Sequence, residues 1–172
     1  MKIDMGKRIV LAIFTAATPL LGCASLSQIG YVPEVAVFTA NYTDKYVYYS
    51  LDDADDRPLN IGGSVHPFKN GGTGGTDCCR SMPDAGQKIT VRWQEGTKDI
   101  NADQTPLLHK TVIVRGSSPP SGDRFNYMIV RFFSGQQVEV EILSDPNGPR
   151  ATRNPRRDQI FYGQRVMRKI GE

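Results

Sequence analysis

Apolar and polar residues alternate along most of this chain, and the alternation has the period of two that a half-buried strand requires. Glu34 to Tyr42 and Lys45 to Leu51 are rich in β-branched and aromatic residues and are separated by Thr43-Asp44, which predicts two strands and a two-residue hairpin turn. Ala36, Phe38 and Ala40 share one face of the first strand. On the second, Tyr46 and Tyr48 oppose Val47, Tyr49 and Leu51, so both sides are expected to be partly covered. The signal returns at Lys88 to Gln94, where Ile89, Val91 and Trp93 point one way and Lys88, Thr90, Arg92 and Gln94 the other. Leu107 to Arg115, Asn126 to Phe133 and Gln137 to Leu143 repeat it, with Ser134-Gly135 turning the last two into a second hairpin. Short strands at this spacing, with no central helix, predict an all-β fold: an antiparallel β-sandwich or partly closed barrel over 34–145. A tail over 146–172 follows the stop Asp145-Pro146-Asn147-Gly148-Pro149, and Gln159 to Ile170 carries a weak helical pattern broken by Gly163.

Asp52 to Asp84 interrupts the pattern. Four aspartates, Asp52, Asp53, Asp55 and Asp56, precede paired glycines and the doublet Cys78-Cys79, so the segment reads as a long loop with at most one short strand near Leu59 to Val65. The acidic group lacks the alternating oxygen ligands and closing glutamate of a calcium loop and reads as solvated. Adjacent Cα atoms across a trans peptide lie about 3.8 Å apart, below the usual disulfide range of roughly 4.4–6.8 Å, so a Cys78–Cys79 bond is expected to be strained and reducible. Two roles stand beside each other: a redox device, and a structural bridge or buried thiol pair that pins the glycine-rich loop to the sheet, the second being favoured. His66 and His109 have no ligand spacing to these cysteines, which argues against zinc. No nucleophile elbow occurs, and Gly71-Gly72-Thr73-Gly74-Gly75 lacks the Lys and Ser or Thr of a phosphate-binding loop. Binding is expected rather than catalysis, with no cofactor and no metal.

Charge changes the picture at both ends. Of 21 basic and 18 acidic residues, Lys2, Lys7, Arg8 and Asp4 lie ahead of residue 23; 11 basic and 15 acidic residues fall between Cys23 and Pro149, a net of −4. Arg150, Arg153, Arg156, Arg157, Arg165, Arg168 and Lys169 then face only two acids, a net of +5, so the basic end is local and gives no general affinity for nucleic acid. These seven residues are candidate partner contacts, expected either to dock on the acidic body or to meet a protein. At the other end, an uncharged run from Ile9 to Leu21 follows the basic start and is too short to span a bilayer as a helix, which is signal-peptide anatomy. The run closes on Leu20-Leu21-Gly22-Cys23, which resembles the lipobox of bacterial lipoproteins. The resemblance implies cleavage between Gly22 and Cys23, a signal over 1–22, and acylation of Cys23. Each buried methylene contributes about 0.8 kcal/mol, so a three-chain anchor is effectively permanent. Residues 23–33 carry Ser, Gly and Pro and read as a tether. Ala24 and Ser25, where an inner-membrane protein of this kind has Asp, point to the outer membrane, facing the periplasm.

A second resemblance rests on an ordered set of features. A hydrophobic strand leads into Asn41-Tyr42-Thr43-Asp44, a glycine-rich loop delivers Cys78-Cys79, and Met82-Pro83, Gly86 and Val91-Arg92-Trp93 follow. With the strands His109 to Val114, Tyr127 to Phe133 and Val138 to Ile142, this resembles small proteobacterial lipoproteins of unknown function over Val35 to Ser144. Asp84-Ala85 stands where that family is expected to carry a Trp, and the basic tail lies outside the likeness. Some of these lipoproteins are encoded beside type VI secretion phospholipase effectors and serve as immunity proteins. The resemblance therefore implies a protein-binding module whose partner is a secreted effector; the other readings are a structural envelope lipoprotein and a thiol–disulfide module built on Cys78-Cys79.

Overall fold

The computed structural model describes residues 30–74, 77–118, 124–146, 156, 160–161 and 166–172. Among the described residues, nine strands run in chain order: β1 (Tyr31–Asn41), β2 (Tyr46–Asp52), β3 (Pro58–Val65), β4 (Asp77–Pro83), β5 (Lys88–Gly96), β6 (Leu108–Ile113), β7 (Arg115–Gly116), β8 (Arg124–Phe133) and β9 (Gln137–Pro146). They form two sheets, β4-β1-β8-β9-β7 and β3-β2-β5-β6, packed face to face as an all-β sandwich that is not closed into a barrel. Most pairings are antiparallel, but β1 with β8 and β7 with β9 run parallel.

The expected β1–β2 hairpin does not form. Although only four residues separate them, β1 and β2 lie in opposite sheets. The cause sits at the end of β1, where the buried Asn41 replaces strand pairing with a side-chain scaffold. Its amide donates to Lys45 O at 2.8 Å and His66 O at 3.0 Å, and its Oδ1 accepts from Thr43 N at 2.9 Å. These bonds turn the chain across the sandwich and satisfy the backbone that a hairpin ladder would otherwise have paired. The β8–β9 hairpin forms as expected: Phe133 pairs with Gln137, and Gly135 takes the positive φ of 76° that the turn requires.

Between the sheets lies the main core. Val35 and Val37 of β1, Met128, Val130 and Phe132 of β8, and Val138, Val140 and Ile142 of β9 meet Val47, Tyr49 and Leu51 of β2 and Ile89, Val91 and Trp93 of β5. The Phe132 ring spans the gap, with its centroid 5.6 Å from Tyr49 and 6.0 Å from Trp93. Burial also pushes the Tyr49 hydroxyl up to about 12, so it stays neutral.

Three further boundaries differ from expectation. β1 begins at Tyr31, inside the stretch read as tether, because Tyr31 and Val32 pair with Pro83 and Met82. Asp52 to Asp84 is not one loop: β3 occupies the expected short strand, and β4 forms as well. β4 leaves little trace in the hydrophobic pattern because an edge strand needs few apolar residues, and only Met82 and Pro83 of its seven are buried. Finally, the stretch Leu107 to Arg115 is divided between sheets. β6 pairs with β5 and β7 with β9, and the buried Val114 marks the crossing, exchanging hydrogen bonds with Gln87 O and Gly86 N at 2.9 and 2.8 Å.

Candidate functional site

Strand alternation and register assemble a polar, aromatic surface on the outer face of the four-stranded sheet. Residues opposite one another across the ladder project to the same side, so three rows form: Ser64, Tyr48 and Gln94; Gly62, Ser50, Arg92 and His109; and Asp52, Thr90 and Thr111. Ser50, Gly62, His109 and Thr111 are exposed. Tyr48 is held down by its hydroxyl, which donates to Lys98 O at 2.6 Å, and Tyr46 packs its ring 5.1 Å from that of His66. Thr90 and Thr111 bond hydroxyl to hydroxyl at 2.9 Å. The guanidinium of Arg92 is fixed by Asp52 and by Asp56, the latter at 3.1 Å. His109 thus stands exposed beside Arg92. Gly62 keeps the face low, since a Cβ there would come within 2.6 Å of Tyr49 O.

The acidic cluster at the β2–β3 turn is spent on this architecture. Asp53 Oδ1 accepts from the main-chain N–H groups of Asp55 and Arg57, and its Oδ2 accepts from Arg57 Nε at 2.7 Å. Burial works against the Asp53 charge, but these bonds outweigh it and hold the carboxyl below the usual range. Among the described residues, no group of three or more His, Cys, Asp or Glu is placed to hold a metal ion.

The outer face of the five-stranded sheet is occupied by the chain's own tail. Ile160 is buried with Ala40, Tyr42, Ile129 and Phe133, and the Phe161 ring lies tilted against Phe38 with centroids 5.3 Å apart. Ala36, Phe38 and Ala40 face this side, while Val35 and Val37 face the core. Beside this cluster Arg131 is 0% exposed, paired with Glu139 and, at 3.0 Å, with Glu141. Burial lowers its pKa and Glu139 opposes that shift. The tail completes the cluster: Arg156 meets Glu141 at 3.1 Å, Gly171 N donates to Glu139 Oε2 at 3.0 Å, and both Arg131 and Arg156 donate to the main-chain oxygen of Glu172. The structure thus brings Arg156 onto the acidic body. Arg168 lines a small cavity with Tyr42, and Lys169 is exposed. Arg150, Arg153, Arg157 and Arg165 lie outside the described residues, as do Gly22 and Cys23. Arg131 carried a legible signal, a lone charge inside the apolar run Ile129-Val130-Arg131-Phe132-Phe133, but its partners depend on register.

Cys78 and Cys79 are joined by a disulfide, and the peptide between them is cis, not the trans form expected from the sequence. They are not a buried pair, for both are exposed on the edge strand β4. Val35 faces Arg80 and Val37 faces Asp77, so both cysteines stand opposite Ala36 alone, as the extra residue of a β-bulge. No family model, no curated protein and no solved structure matches this chain.

Proposed function

We propose that this protein is a lipid-anchored envelope protein whose sandwich binds another protein, and that the partner is an effector delivered into the periplasm, which makes the chain an immunity protein. The observation that carries this reading is the contrast between the two outer faces. One is partly covered by the tail, whereas the other presents Tyr46, Tyr48, Arg92, Gln94 and His109 on ordered strands, and Tyr and Arg are the residue types that anchor protein interfaces. Rigid strands lose little freedom on binding, which favours a tight complex. The lipobox at Leu20-Leu21-Gly22-Cys23 and the motif resemblance supply the place and the class of partner.

The test is direct binding to a lipase effector encoded beside the gene. The purified pair is expected to form a stoichiometric complex in which lipase activity is lost. Ser50→Arg and His109→Glu put bulk and charge into the middle row and are expected to weaken it at least about 100-fold, while changing stability by less than about 0.5 kcal/mol because both sites are exposed. An effector that stays active with the protein in excess removes this reading. Cys23→Ser tests the anchor separately: the variant is expected to leave the membrane fraction, and one that still sediments with outer membranes after a high-salt wash has another attachment. A thiol–disulfide role is favoured by one observation, the exposure of both cysteines on a free sheet edge.

A further inference from the structure

A sandwich of two open sheets has exposed edges, and a free edge invites pairing with another chain unless it is short, bulged or guarded by charge. Three of the edges here are blunted. β7 has two residues. β4 is interrupted by two register shifts and carries the disulfide bulge. β3 loses register beside Leu51, where Asn60 takes a φ of 55°, and its other end is capped by a bridge between Val65 and Gly74. β6 differs: its six residues pair with β5 without a shift, and among the described residues no strand lies on its other side. The direction of its main chain follows from Val114, whose N–H donates to Gln87 O at 2.9 Å. Antiparallel pairing alternates, so Val112, Lys110 and Leu108 bond to β5, while the N–H and C=O groups of His109, Thr111 and Ile113 point away from it. The Thr90–Thr111 hydroxyl bond agrees, since side chains approach most closely at pairs that share no main-chain bond.

We infer that β6 is a docking edge, on which an extended segment of a protein partner adds as a further, antiparallel strand with a carboxylate opposite Lys110. The open N–H and C=O groups supply its hydrogen bonds, and side chains set which segment fits. Leu108 and Val112 are half-buried against the core on the inner side, with Lys110 between them, exposed and without an ion pair among the described residues. A strand laid beside them has to present apolar, acidic and apolar residues at alternate positions. Lys110 also argues against a second copy of this chain as the occupant. The two-fold register that overlaps all of β6 lays Leu108 on Val112 and Lys110 on its own copy, and like charges directly opposite are destabilising. Charge thus guards the edge against self-pairing and selects a different strand. On the outer side, His109, Thr111 and the 51% exposed Ile113 border the face that carries Tyr48 and Arg92, so the added strand widens that face. The inference rests on the protein-binding reading for the class of partner and specifies how that partner attaches.

The probe is the peptide acetyl-Thr-Val-Thr-Glu-Thr-Val-Thr-amide, whose glutamate meets Lys110 when it lies antiparallel on β6. One control replaces that glutamate with lysine, and another methylates the main-chain nitrogens of the second and third threonines, which face β6. The glutamate probe is expected to shift the amide resonances of His109, Thr111 and Ile113 saturably at millimolar concentration and to slow their hydrogen exchange. The lysine control is expected to bind about threefold to tenfold more weakly, and the methylated one not at all. Lys110→Glu is expected to reverse the preference between the glutamate and lysine probes. Thr111→Pro removes an outward N–H without breaking a bond to β5 and is expected to abolish binding, with unchanged β8–β9 resonances as the check on folding. Equal binding of the methylated probe, an unchanged preference in Lys110→Glu, or a dimer of the protein alone that protects these amides overturns the inference. So does a lipase complex in which the same amides exchange as fast as in the free protein, a result that leaves the immunity reading standing. Probe binding without a lipase complex removes the effector and retains the edge.

Discussion

Two aspartates four positions apart on either side of the β2–β3 turn show how single residues set the surface charge: Asp52 and Asp56 clamp Arg92 on the open face, while Asp53 closes the turn on Arg57. The Asp53 carboxylate accepts several hydrogen bonds, and its pKa lies below the ordinary value. A depressed carboxylate adds stability that is present in full above its unfolded pKa of about 4 and is lost as pH falls through the folded value. Asp53→Asn is therefore expected to cost about 1 kcal/mol at neutral pH. Thermal melts of the variant and the parent should converge as pH falls through the depressed Asp53 value, and a constant gap across that range would assign the cost to shape rather than charge. None of this was legible from the four aspartates alone, which read equally well as a solvated loop. What decides is the reach of Arg57 and Arg92, and Arg92 arrives from a strand that pairs with β2 only in the folded sheet.

At the level of elements, β5 and the β8–β9 hairpin were legible because alternation, β-branched residues and a turn glycine agree there. The route between sheets was not, since alternation says which residues share a face and nothing about which neighbour a strand will choose. Asn41 decides that for β1 and β2, and Val114 for β6 and β7. The edge strand β4 was missed for a related reason: half-paired and half-exposed, it has almost no apolar requirement. Its bulged cysteine pair closes a loop of adjacent residues, which restrains the unfolded chain very little, so Cys78→Ser and Cys79→Ser are expected to act alike and to lower stability by less than about 1 kcal/mol. Both sulfurs are on the surface, so reduction should not need unfolding. Mass spectrometry is expected to show no alkylation of the native protein and two labels after mild reductant under native conditions; labelling without reductant would show free thiols.

Across the whole molecule, the tail converts a two-layer sandwich into one with a third, partial layer. Its removal exposes Ile129, Phe133 and Tyr42 and strips Arg131 of its contact with Glu172. Loss of the buried Ile160 and half-buried Phe161 side chains amounts to about 2–4 kcal/mol after the cost of ordering them. Truncation after Pro149 is thus expected to lower the melting temperature by roughly 10 °C and to leave binding of the unacylated protein to anionic vesicles unchanged. Vesicle binding that disappears with the tail at constant melting temperature would make the tail a membrane element. The parallel pairing of β1 with β8 also bears on timing. Val35 meets Asn126, 126 − 35 = 91 positions further along the chain, so the first strand to be synthesised has to wait for nearly the last. Contacts so distant impose their entropic cost before any gain, which places folding in the millisecond-to-second range typical of sandwiches. On the proposed export route that delay is useful: a chain whose opening strand has no parallel neighbour until the final hairpin is made reaches the membrane still threadable.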